Sequence, residues 1–391
     1  MTLLDEGRRR AAQISTRRDE ALTDPLHDER TAAILGIALG ISFAVCFLTG
    51  LYSHFLQQPP SWWDVPSGPA GLYRVTQGVH VATGLATIPL LLAKLWSVHP
   101  RLFAWPPFQS IPHLIERLFL VVLVSGAVFQ LFTGTANVLR WYPWKFFFPA
   151  GHYWVGWMTI GAMMVHIGSK APVTSGALRR RVRPDPPPRP GHLGRRGFLT
   201  ATAVAAGLIT LLTVGQTVGP LKRFALFAPR RPDIGPQGLP VNQTAGEAGV
   251  IESALDPNWR LRVTGAVHSP IEFDLDGLRA MPLRTATLSI ACVEGWSAEG
   301  VWTGVSVTDL LARAGVAPDR TVRVEVVSLE TNGLYGRSNL SPSQARDPDT
   351  LLALDLGGEP LHLDHGAPCR LIGPNRPGVL QTKWVTELVV S

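Results

Sequence analysis

Five long apolar segments fill most of the first 219 residues and limit the chain to folds that place helices in a hydrocarbon environment. They cover residues 31–56, 72–98, 114–139, 151–170 and 197–219. Because a helix rises 1.5 Å per residue, about 20 residues cross the roughly 30 Å hydrocarbon core of a bilayer. We therefore expect an all-α four-helix transmembrane bundle over residues 31–170 and a fifth transmembrane helix over residues 197–219.

The distribution of basic residues predicts how these helices are oriented. Arginines are concentrated in the N-terminal tail and in the stretch after the fourth segment, whereas the loop at residues 57–71 contains neither lysine nor arginine. Basic flanking segments usually remain on the cytoplasmic side of a membrane. We expect a multi-pass protein of the cell membrane, surrounded by lipid, with a cytoplasmic N-terminus and an extracytoplasmic C-terminal half.

A proline-rich stretch and an arginine pair stand between the fourth and fifth segments. RPDPPPRPGHLG at residues 183–194 cannot be helical and predicts a stiff linker. GRRGFLTATAVAAG at residues 194–207 resembles a twin-arginine export signal placed inside the chain. The export machinery would then be a partner and would translocate a folded C-terminal half. Alternatively, Arg195 and Arg196 only anchor a helix end at the lipid surface.

The chain changes character near residue 220. It is 46% apolar and 17% charged overall, but the apolar excess ends near residue 219, and polar and apolar residues then alternate as in a water-soluble fold. The predicted regions are a cytoplasmic basic tail (1–30), a four-helix membrane domain (31–170), a basic proline-rich linker (171–196), the fifth helix (197–219) and an extracytoplasmic domain (220–391). Three cysteines are too few for a disulfide framework. We expect no nucleic-acid partner.

Two histidines occupy matching positions in the membrane half. HVATG at residues 80–84 and HYWVG at residues 152–156 each place a glycine four residues after a histidine. FLTG at residues 47–50 and LFTG at residues 131–134 extend the similarity to a duplicated helix pair. Such a duplication brings His80 and His152 to a similar membrane depth. Two imidazoles facing each other across a bundle are a usual way to bind a haem iron.

The spacing of His152 and His166 extends this interpretation. The two residues are 14 positions apart and fall on nearly the same helix face. Residues 25–172 resemble the dihaem b-type cytochromes of the cytochrome b561 and formate dehydrogenase membrane-subunit kind. This resemblance implies haem b between His80 and His152 and a possible second haem at His166. Lys94 departs from the pattern, because it stands where the second helix would supply the partner of His166.

Residues 240–391 alternate in a way that predicts an α+β domain. Strand-like runs occur at residues 259–267, 284–292, 321–329 and 383–391. The sequence SVTD at residues 306–309 predicts a helix that begins with a capping box, and Gly315 supplies its left-handed end. Gly357 and Gly358 predict a hairpin turn.

Cys292 lies where the strand TLSIA ends and a glycine-containing loop begins. Taken alone, a buried structural thiol is a common role for such a residue. The blocks CVEGWS (292–297) and HGAPCRLIGPNRPGVLQTKWV (365–385), however, resemble the oxidoreductase molybdopterin-binding domain of sulfite oxidases and periplasmic methionine sulfoxide reductase catalytic subunits. We therefore expect an α+β domain of the sulfite-oxidase type in residues 220–391.

This resemblance implies a role for each matching residue. Cys292 would be the single protein ligand of molybdenum, since soft thiolate sulfur suits that metal. The residues that would bind the pterin and its phosphate are Asn242, Thr331, His365, Arg370, Gln381, Thr382 and Lys383. Without the resemblance, Arg370 and Lys383 would be interpreted as surface charges at strand ends. Cys369 is expected to pack in a strand and Cys46 in the membrane.

The residues after Cys292 bear on the substrate. Glu294 stands close to the metal ligand, where its carboxylate would repel sulfite and would be a possible proton donor to a leaving oxygen. The CVEGWS block thus favours sulfoxide or N-oxide reduction with electrons from haem b and a quinone or quinol pool. The alternatives are oxidation of a small substrate such as sulfite, with electrons passed inward, and a haem-binding redox module whose outer domain is not catalytic.

Overall fold

The computed structural model describes residues 25–103, 110–181, 193–215 and 218–391, apart from positions 229, 232, 332, 334 and 335. The basic tail before residue 25 and most of the proline-rich linker lie outside these residues. The chain forms two compact units: Met1–Leu48 with His80–Leu212, and Thr49–Val79 with Thr213–Ser391. The second unit therefore includes a segment from between the first two apolar runs, which we call the 49–79 segment.

Five long helices account for the apolar half of the chain. They are α1 (Glu29–Gln57), α2 (Leu72–Leu102), α3 (Ile111–Val138), α4 (Phe148–Arg179) and α5 (Arg195–Val214). Ser110 caps α3 by accepting a hydrogen bond from the backbone N–H of His113. The helices α3 and α4 pack closely, because Gly126 leaves room only for the side chain of Thr159.

The number of apolar helices differs from the prediction. Four helices are long and apolar enough to cross a bilayer, namely α1, α2, α3 and α5. The helix α4 forms where the fourth segment was expected, but polar residues such as His152, His166 and Lys170 interrupt its apolar character. The prediction of five membrane-crossing segments therefore holds at candidate level for four of the described helices and not for α4.

The second unit contains two sheets and short helices. The strands are β1 (Leu261–Gly265), β2 (Ile271–Phe273), β3 (Leu283–Ala291), β4 (Ser297–Ser306), β5 (Val324–Ser328), β6 (Arg337–Leu340), β7 (Leu351–Leu356), β8 (Glu359–Pro360), β9 (Arg370–Ile372) and β10 (Val385–Val390). The first sheet has the order β2-β1-β10-β5-β6, and the second has β3-β4-β7-β8 with β9 beside β7. The pair β1 and β10 is parallel. The helices are α6 (Ala245–Ala248), α7 (Ile251–Ala254), α8 (Leu275–Arg279), α9 (Val307–Arg313) and α10 (Pro342–Arg346).

The expected strands and turn are present, and an apolar core joins both sheets. Val263, Val326 and Leu388 of the first sheet are buried together with Leu352 and Leu371 of the second. Burial of these side chains is the main favourable contribution to the stability of the unit. Gly357 and Gly358 both adopt positive φ between β7 and β8, which confirms the predicted hairpin turn.

The predicted capping box of α9 is not formed. Ser306 precedes the helix, but its side chain makes no capping hydrogen bond, and its hydroxyl has no partner among the described residues. The reason is that Ser306 ends β4 and is paired with Leu351. Capping boxes occur instead at Thr244 before α6 and at Ser341 before α10.

Candidate functional site

Cys292 lies at the tip of the hairpin formed by β3 and β4. The backbone N–H of Cys292 donates to the carbonyl of Trp296 at 2.9 Å, and Gly295 N–H donates to the carbonyl of Cys292 at 3.0 Å. Gly295 has φ of 88°, in the left-handed region that the turn requires. The structure thus places Cys292 directly after a strand end and at the start of a tight turn.

The surroundings of the Cys292 thiol combine apolar packing with a polar contact to Asn242. Its exposed fraction is 5%, and it packs in a cluster that includes Leu239, Ile290 and Trp296. Asn242 Nδ2 donates to Cys292 Sγ at 3.2 Å. A donor of this kind stabilises the thiolate form, which is the form that binds a metal. Two residues predicted for the site, Asn242 and Cys292, are therefore in contact.

Arg230 is a site residue that the sequence patterns did not indicate. Its Nε donates to Asn242 Oδ1 at 3.2 Å. This bond orients the carboxamide, so that its Nδ2 faces the sulfur. The contact links Arg230 to Cys292 through Asn242, and no local pattern around Arg230 would have revealed it.

Glu294 is buried one residue beyond Val293 in the same hairpin turn. The indole N–H of Trp296 donates to Glu294 Oε2 at 3.1 Å. This bond limits the rotation of the carboxylate. The turn therefore places an oriented acid two residues after the predicted metal ligand, as the CVEGWS motif implies.

Arg370 is fully enclosed in the second unit. Its Nη1 donates to the carbonyl of His365 at 3.1 Å and its Nη2 to the carbonyl of Gln381 at 2.9 Å. The guanidinium carbon lies 5.1 Å from the centre of the Trp302 ring. Burial lowers the pKa of Arg370 to about 9. Among the described residues, Arg370 forms no ion pair with a carboxylate.

Lys383 is the second cation of the site. Its Nζ contacts the carbonyl of Gln243 and donates to the carbonyl of Asp364 at 3.0 Å. Burial and the nearby charge of Arg370 lower the pKa of Lys383 to about 7. Gly366, with φ of 110°, allows these two cations to approach, because a Cβ there would lie within 3.0 Å of the Cβ atoms of both.

The other predicted cofactor-binding residues have differing environments. His365 is buried and its Nε2 lies 2.7 Å from the carbonyl oxygen of Pro236, and burial lowers its pKa to about 4. Gln381 bonds through its carboxamide to both the N–H and the carbonyl of Gly373. Thr382 bonds to Ser338, whereas Thr331 is exposed. The side chains of Gln381 and Thr382 are thus engaged with protein partners, and their backbone carbonyls accept from Arg370 and from Leu371 N–H.

The side chains of Arg370, Lys383 and Cys292 are chemically suited to bind a cofactor that carries both a negative charge and a metal ion. Arg370 is buried and Lys383 is half-buried, and both donate to backbone carbonyls. The carboxylates of Asp364, Glu330 and Glu247 act on the charge of Lys383, whereas Arg370 has no ion pair among the described residues. Uncompensated buried charge is costly unless an opposite charge is supplied. A phosphate-bearing cofactor would supply that charge, and the thiol of Cys292 offers one soft metal ligand. This donor set is the one expected for molybdenum-molybdopterin.

A separate candidate site lies in the first unit. The ring centres of His80 and His152 are 6.2 Å apart, with an angle of 81° between the rings. His80 Nδ1 lies 2.8 Å from the carbonyl oxygen of Cys46, and His152 Nδ1 lies 3.1 Å from the hydroxyl of Thr133. The structure therefore brings the two predicted haem ligands together and engages the Nδ1 atom of each.

His166 has different neighbours. It is half-buried on α4, and the charged groups that act on it are those of Lys94, Lys170 and Glu116. Lys94 donates to the carbonyl of Ala32 at 2.6 Å. Over the residues that the structure describes, no cluster of three or more histidine, cysteine or acidic side chains is arranged to bind a metal ion. The pair formed by His80 and His152 thus has no counterpart around His166 in the described residues.

Comparison with known proteins identifies the C-terminal domain. Residues 248–391 match the oxidoreductase molybdopterin binding domain. The mitochondrial sulfite oxidase of Drosophila melanogaster is 36% identical over 158 residues, which cover 34% of this chain and 27% of the relative. The protein-methionine-sulfoxide reductase catalytic subunit MsrP of Gluconobacter oxydans is 33% identical over 143 residues, which cover 33% of this chain and 46% of the relative.

A third relative matches this chain with similar identity and coverage. The putative protein-methionine-sulfoxide reductase subunit YedZ1 of Azospira oryzae is 32% identical over 134 residues, which cover 34% of this chain and 49% of the relative. The chain therefore spans between 27% and 49% of the length of these three relatives. All three matches cover about a third of the chain, as does the family match at residues 248–391. The second unit of this chain thus contains a molybdopterin-binding oxidoreductase domain related to sulfite oxidase and to the methionine-sulfoxide reductase subunits.

Proposed function

We propose that the protein is a membrane-bound molybdenum-cofactor oxidoreductase that exchanges electrons between haem b, a quinone pool and a small extracytoplasmic substrate. The observation that carries this proposal is the Cys292 thiol, bonded by Asn242 at 3.2 Å within a domain that matches the molybdopterin-binding family. The reaction is reduction of a sulfoxide or N-oxide. It consumes two electrons and two protons and releases the oxygen atom as water.

The residues of the chain have distinct parts in this reaction. When bound, the molybdenum cofactor supplies two-electron chemistry and an acceptor for the oxygen atom. Cys292 would hold the metal as a thiolate, and Asn242 directs a donor at that sulfur. Arg370 and Lys383 would bind the phosphate, since fixed cations favour a dianion. Glu294 would hold a proton for the departing oxygen, and the indole of Trp296 orients it.

The histidine pair supports the haem part of the proposal. Two imidazoles that face each other across a helix bundle would be suited to hold a haem iron. His80 and His152 have ring centres 6.2 Å apart. Because the Nδ1 atoms are engaged with Cys46 and Thr133, the Nε2 atoms are left for iron. A second haem at His166 has less support. The groups near His166 are Lys94, Lys170 and Glu116, and none of them is a second histidine that could bind the iron.

The proposal places the first unit in a lipid bilayer. Four helices are long and apolar enough to span it, and the basic segments would keep the N-terminus in the cytoplasm and the C-terminal domain outside. Twin-arginine export would then translocate the loaded domain. Arg195 also forms an ion pair with Asp28 at 3.3 Å, which favours the simpler role of an anchoring arginine.

The reverse direction is the second proposed activity. It is favoured by the match to sulfite oxidase, which covers 34% of this chain. In that version a small substrate such as sulfite is oxidised and electrons pass inward to quinone. The place of Glu294 in the hairpin turn argues for reduction instead, because reduction needs a proton donor at the departing oxygen.

A redox difference spectrum of the purified full chain tests the proposal. We expect molybdenum at one atom per chain and a haem band that is reoxidised by a sulfoxide or N-oxide but not by buffer. Reduction of the haem band by sulfite would establish the reverse direction. Haem without molybdenum would instead support the haem-binding redox module with a non-catalytic outer domain.

A further inference from the structure

The 49–79 segment contacts the residue that precedes Cys292. Leu56, Val65 and Tyr73 form a buried apolar cluster with Ala291, the last residue of β3. Tyr52 and Trp63 pack against the same cluster. One side of the predicted metal ligand is thus held by residues more than two hundred positions away in the sequence.

The same segment also contacts the residue that follows Cys292. Gln77, near the start of α2, donates through Nε2 to the carbonyl of Val293 at 2.9 Å. The exposed fraction of Gln77 is 4%. Its Oε1 has no hydrogen-bond partner among the described residues. The carboxamide therefore makes one contact, and that contact is with the turn that begins at Cys292.

Stability alone is a poor explanation for Gln77. A buried oxygen without a partner costs at least as much free energy as one neutral hydrogen bond returns. An apolar side chain of similar volume would avoid that cost. What Gln77 supplies, and an apolar side chain does not, is a donor directed at Val293.

The geometry of the turn explains what this donor does. A peptide unit is planar, so a fixed Val293 carbonyl also fixes the orientation of the peptide plane between Val293 and Glu294. That plane lies in the middle of the turn closed by Gly295 N–H and the Cys292 carbonyl at 3.0 Å. The bond from Gln77 therefore limits the motion of both Cys292 and Glu294.

Further contacts anchor Gln77 itself. The backbone N–H of Tyr73, one turn earlier in α2, donates to Asn375 Oδ1 at 3.0 Å. Asn375 in turn donates to the carbonyl of Pro66 at 2.8 Å. Its loop reaches the hairpin through the bridge between Pro377 and Ala291. The start of α2 is thus fixed to the same structural elements that carry Cys292.

We infer that Gln77 is a positioning residue for the predicted metal-binding thiolate: its carboxamide holds the Val293 carbonyl and thereby sets the direction of the Cys292 side chain. This inference rests on the proposed function for the identity of the metal. The contact itself lies within one compact unit.

The test measures the alkylation rate of Cys292 by iodoacetamide in the full-length chain produced without cofactor. Peptide mass spectrometry compares it with Cys369, which is fully buried in the same unit and has its Sγ 3.5 Å from the carbonyl of Val385. Gln77→Met keeps the volume and removes the donor. Gln77→Glu keeps the shape and replaces the donor by an acceptor.

We expect both substitutions to raise the ratio of Cys292 to Cys369 alkylation by about tenfold, the effect of losing roughly one hydrogen bond. Arg74→Ala is the matched control, because Arg74 also reaches the hairpin, through an exposed ion pair with Glu299 at 3.0 Å. It should change the ratio by less than about twofold. An unchanged ratio in both Gln77 variants overturns the inference, and so does an equal rise at both cysteines, which indicates general unfolding.

The loaded enzyme provides a second readout. If the thiolate is positioned by Gln77, the paramagnetic resonance signal of Mo(V) should shift in Gln77→Met and stay unchanged in Arg74→Ala. An unshifted signal in Gln77→Met contradicts the inference. Absence of molybdenum from the wild-type chain would contradict the proposed function instead, and the alkylation ratio would still decide whether Gln77 positions Cys292.

Discussion

The two candidate metal sites differ in how their ligands are held. His80 and His152 lie in helices, and each is oriented by hydrogen bonding at its Nδ1 atom. Cys292 instead lies at a hairpin tip and is approached by Asn242, 50 residues away, while Val293 is held by Gln77, 216 residues away. The histidine pair requires only correct helix pairing, whereas the cysteine site depends on the assembly of the whole second unit.

This difference predicts that the two cofactors are lost independently, which is the largest expected effect. Cys292→Ser should remove molybdenum and lower turnover by more than about a thousandfold, because the proposed soft thiolate ligand is gone. The haem spectrum should be unchanged. His152→Ala should do the opposite, removing the haem band while molybdenum stays bound. Metal analysis and absorption spectra check both variants.

Loss of both cofactors from either variant would contradict the prediction of independent loss, because it would mean that the two sites are not assembled separately. Cys369→Ser is a suitable control. Cys369 is fully buried, and burial raises the pKa of its thiol far above the ordinary value, so it is not available as a thiolate. We expect this variant to retain both cofactors.

A smaller effect is expected within the cysteine site. Glu294→Gln keeps the size of the side chain and removes the ionisable proton, so kcat should fall by about a hundredfold. One limb of the pH profile of kcat should also disappear. Steady-state kinetics with a sulfoxide between pH 5 and pH 9 measures both quantities. Unchanged turnover across this range would remove Glu294 from the proposed mechanism.

The smallest predicted effect is a pH dependence of stability that comes from the cysteine site. Burial lowers the pKa of Lys383 to about 7 in the folded chain, whereas an unfolded lysine has a pKa of about 10.4. The unfolded chain therefore binds more protons than the folded chain between pH 7 and pH 10. The cofactor-free protein should become more stable as pH rises from 7 to 9, by at most about 1 kcal/mol per pH unit.

Thermal unfolding of the cofactor-free chain at pH 7 and pH 9 measures this dependence. Lys383→Met should abolish the difference between the two midpoints. A bound phosphate-bearing cofactor should reduce it as well, because the anion stabilises the protonated ammonium group. If the unfolding temperature of the wild-type chain decreases from pH 7 to pH 9, the pKa of Lys383 is not lowered in the folded chain as we assign it.

Local patterns predicted much of the fold. The apolar runs identified all five long helices, and the β-branched runs identified β1, β3, β5 and β10. The position of Cys292 at a strand end was also correct. The capping box at Ser306 was not, because pairing of β4 with β7 determines the environment of that residue. The same type of motif does form at Thr244 and Ser341.

The residues around Cys292 were only partly predictable, because some of their contacts are also determined by tertiary structure. The family resemblance named Asn242, Arg370 and Lys383, and the structure places Asn242 at Cys292 and the two cations on either side of Gly366. Arg230 and Gln77 were missed. Neither belongs to a motif. Gln77 reaches Val293, 216 residues away, and Arg230 reaches the site through Asn242, 12 residues away.

The sequence by itself determined where the helices and strands form and which half of the chain is apolar, because periodicity and composition act over a few neighbouring residues. The tertiary structure alone decided that Gln77 reaches Val293, that Arg370 is buried without an ion pair among the described residues, and that His80 faces His152. These contacts join residues far apart in the chain. They form only when the packing of apolar side chains has brought their elements together.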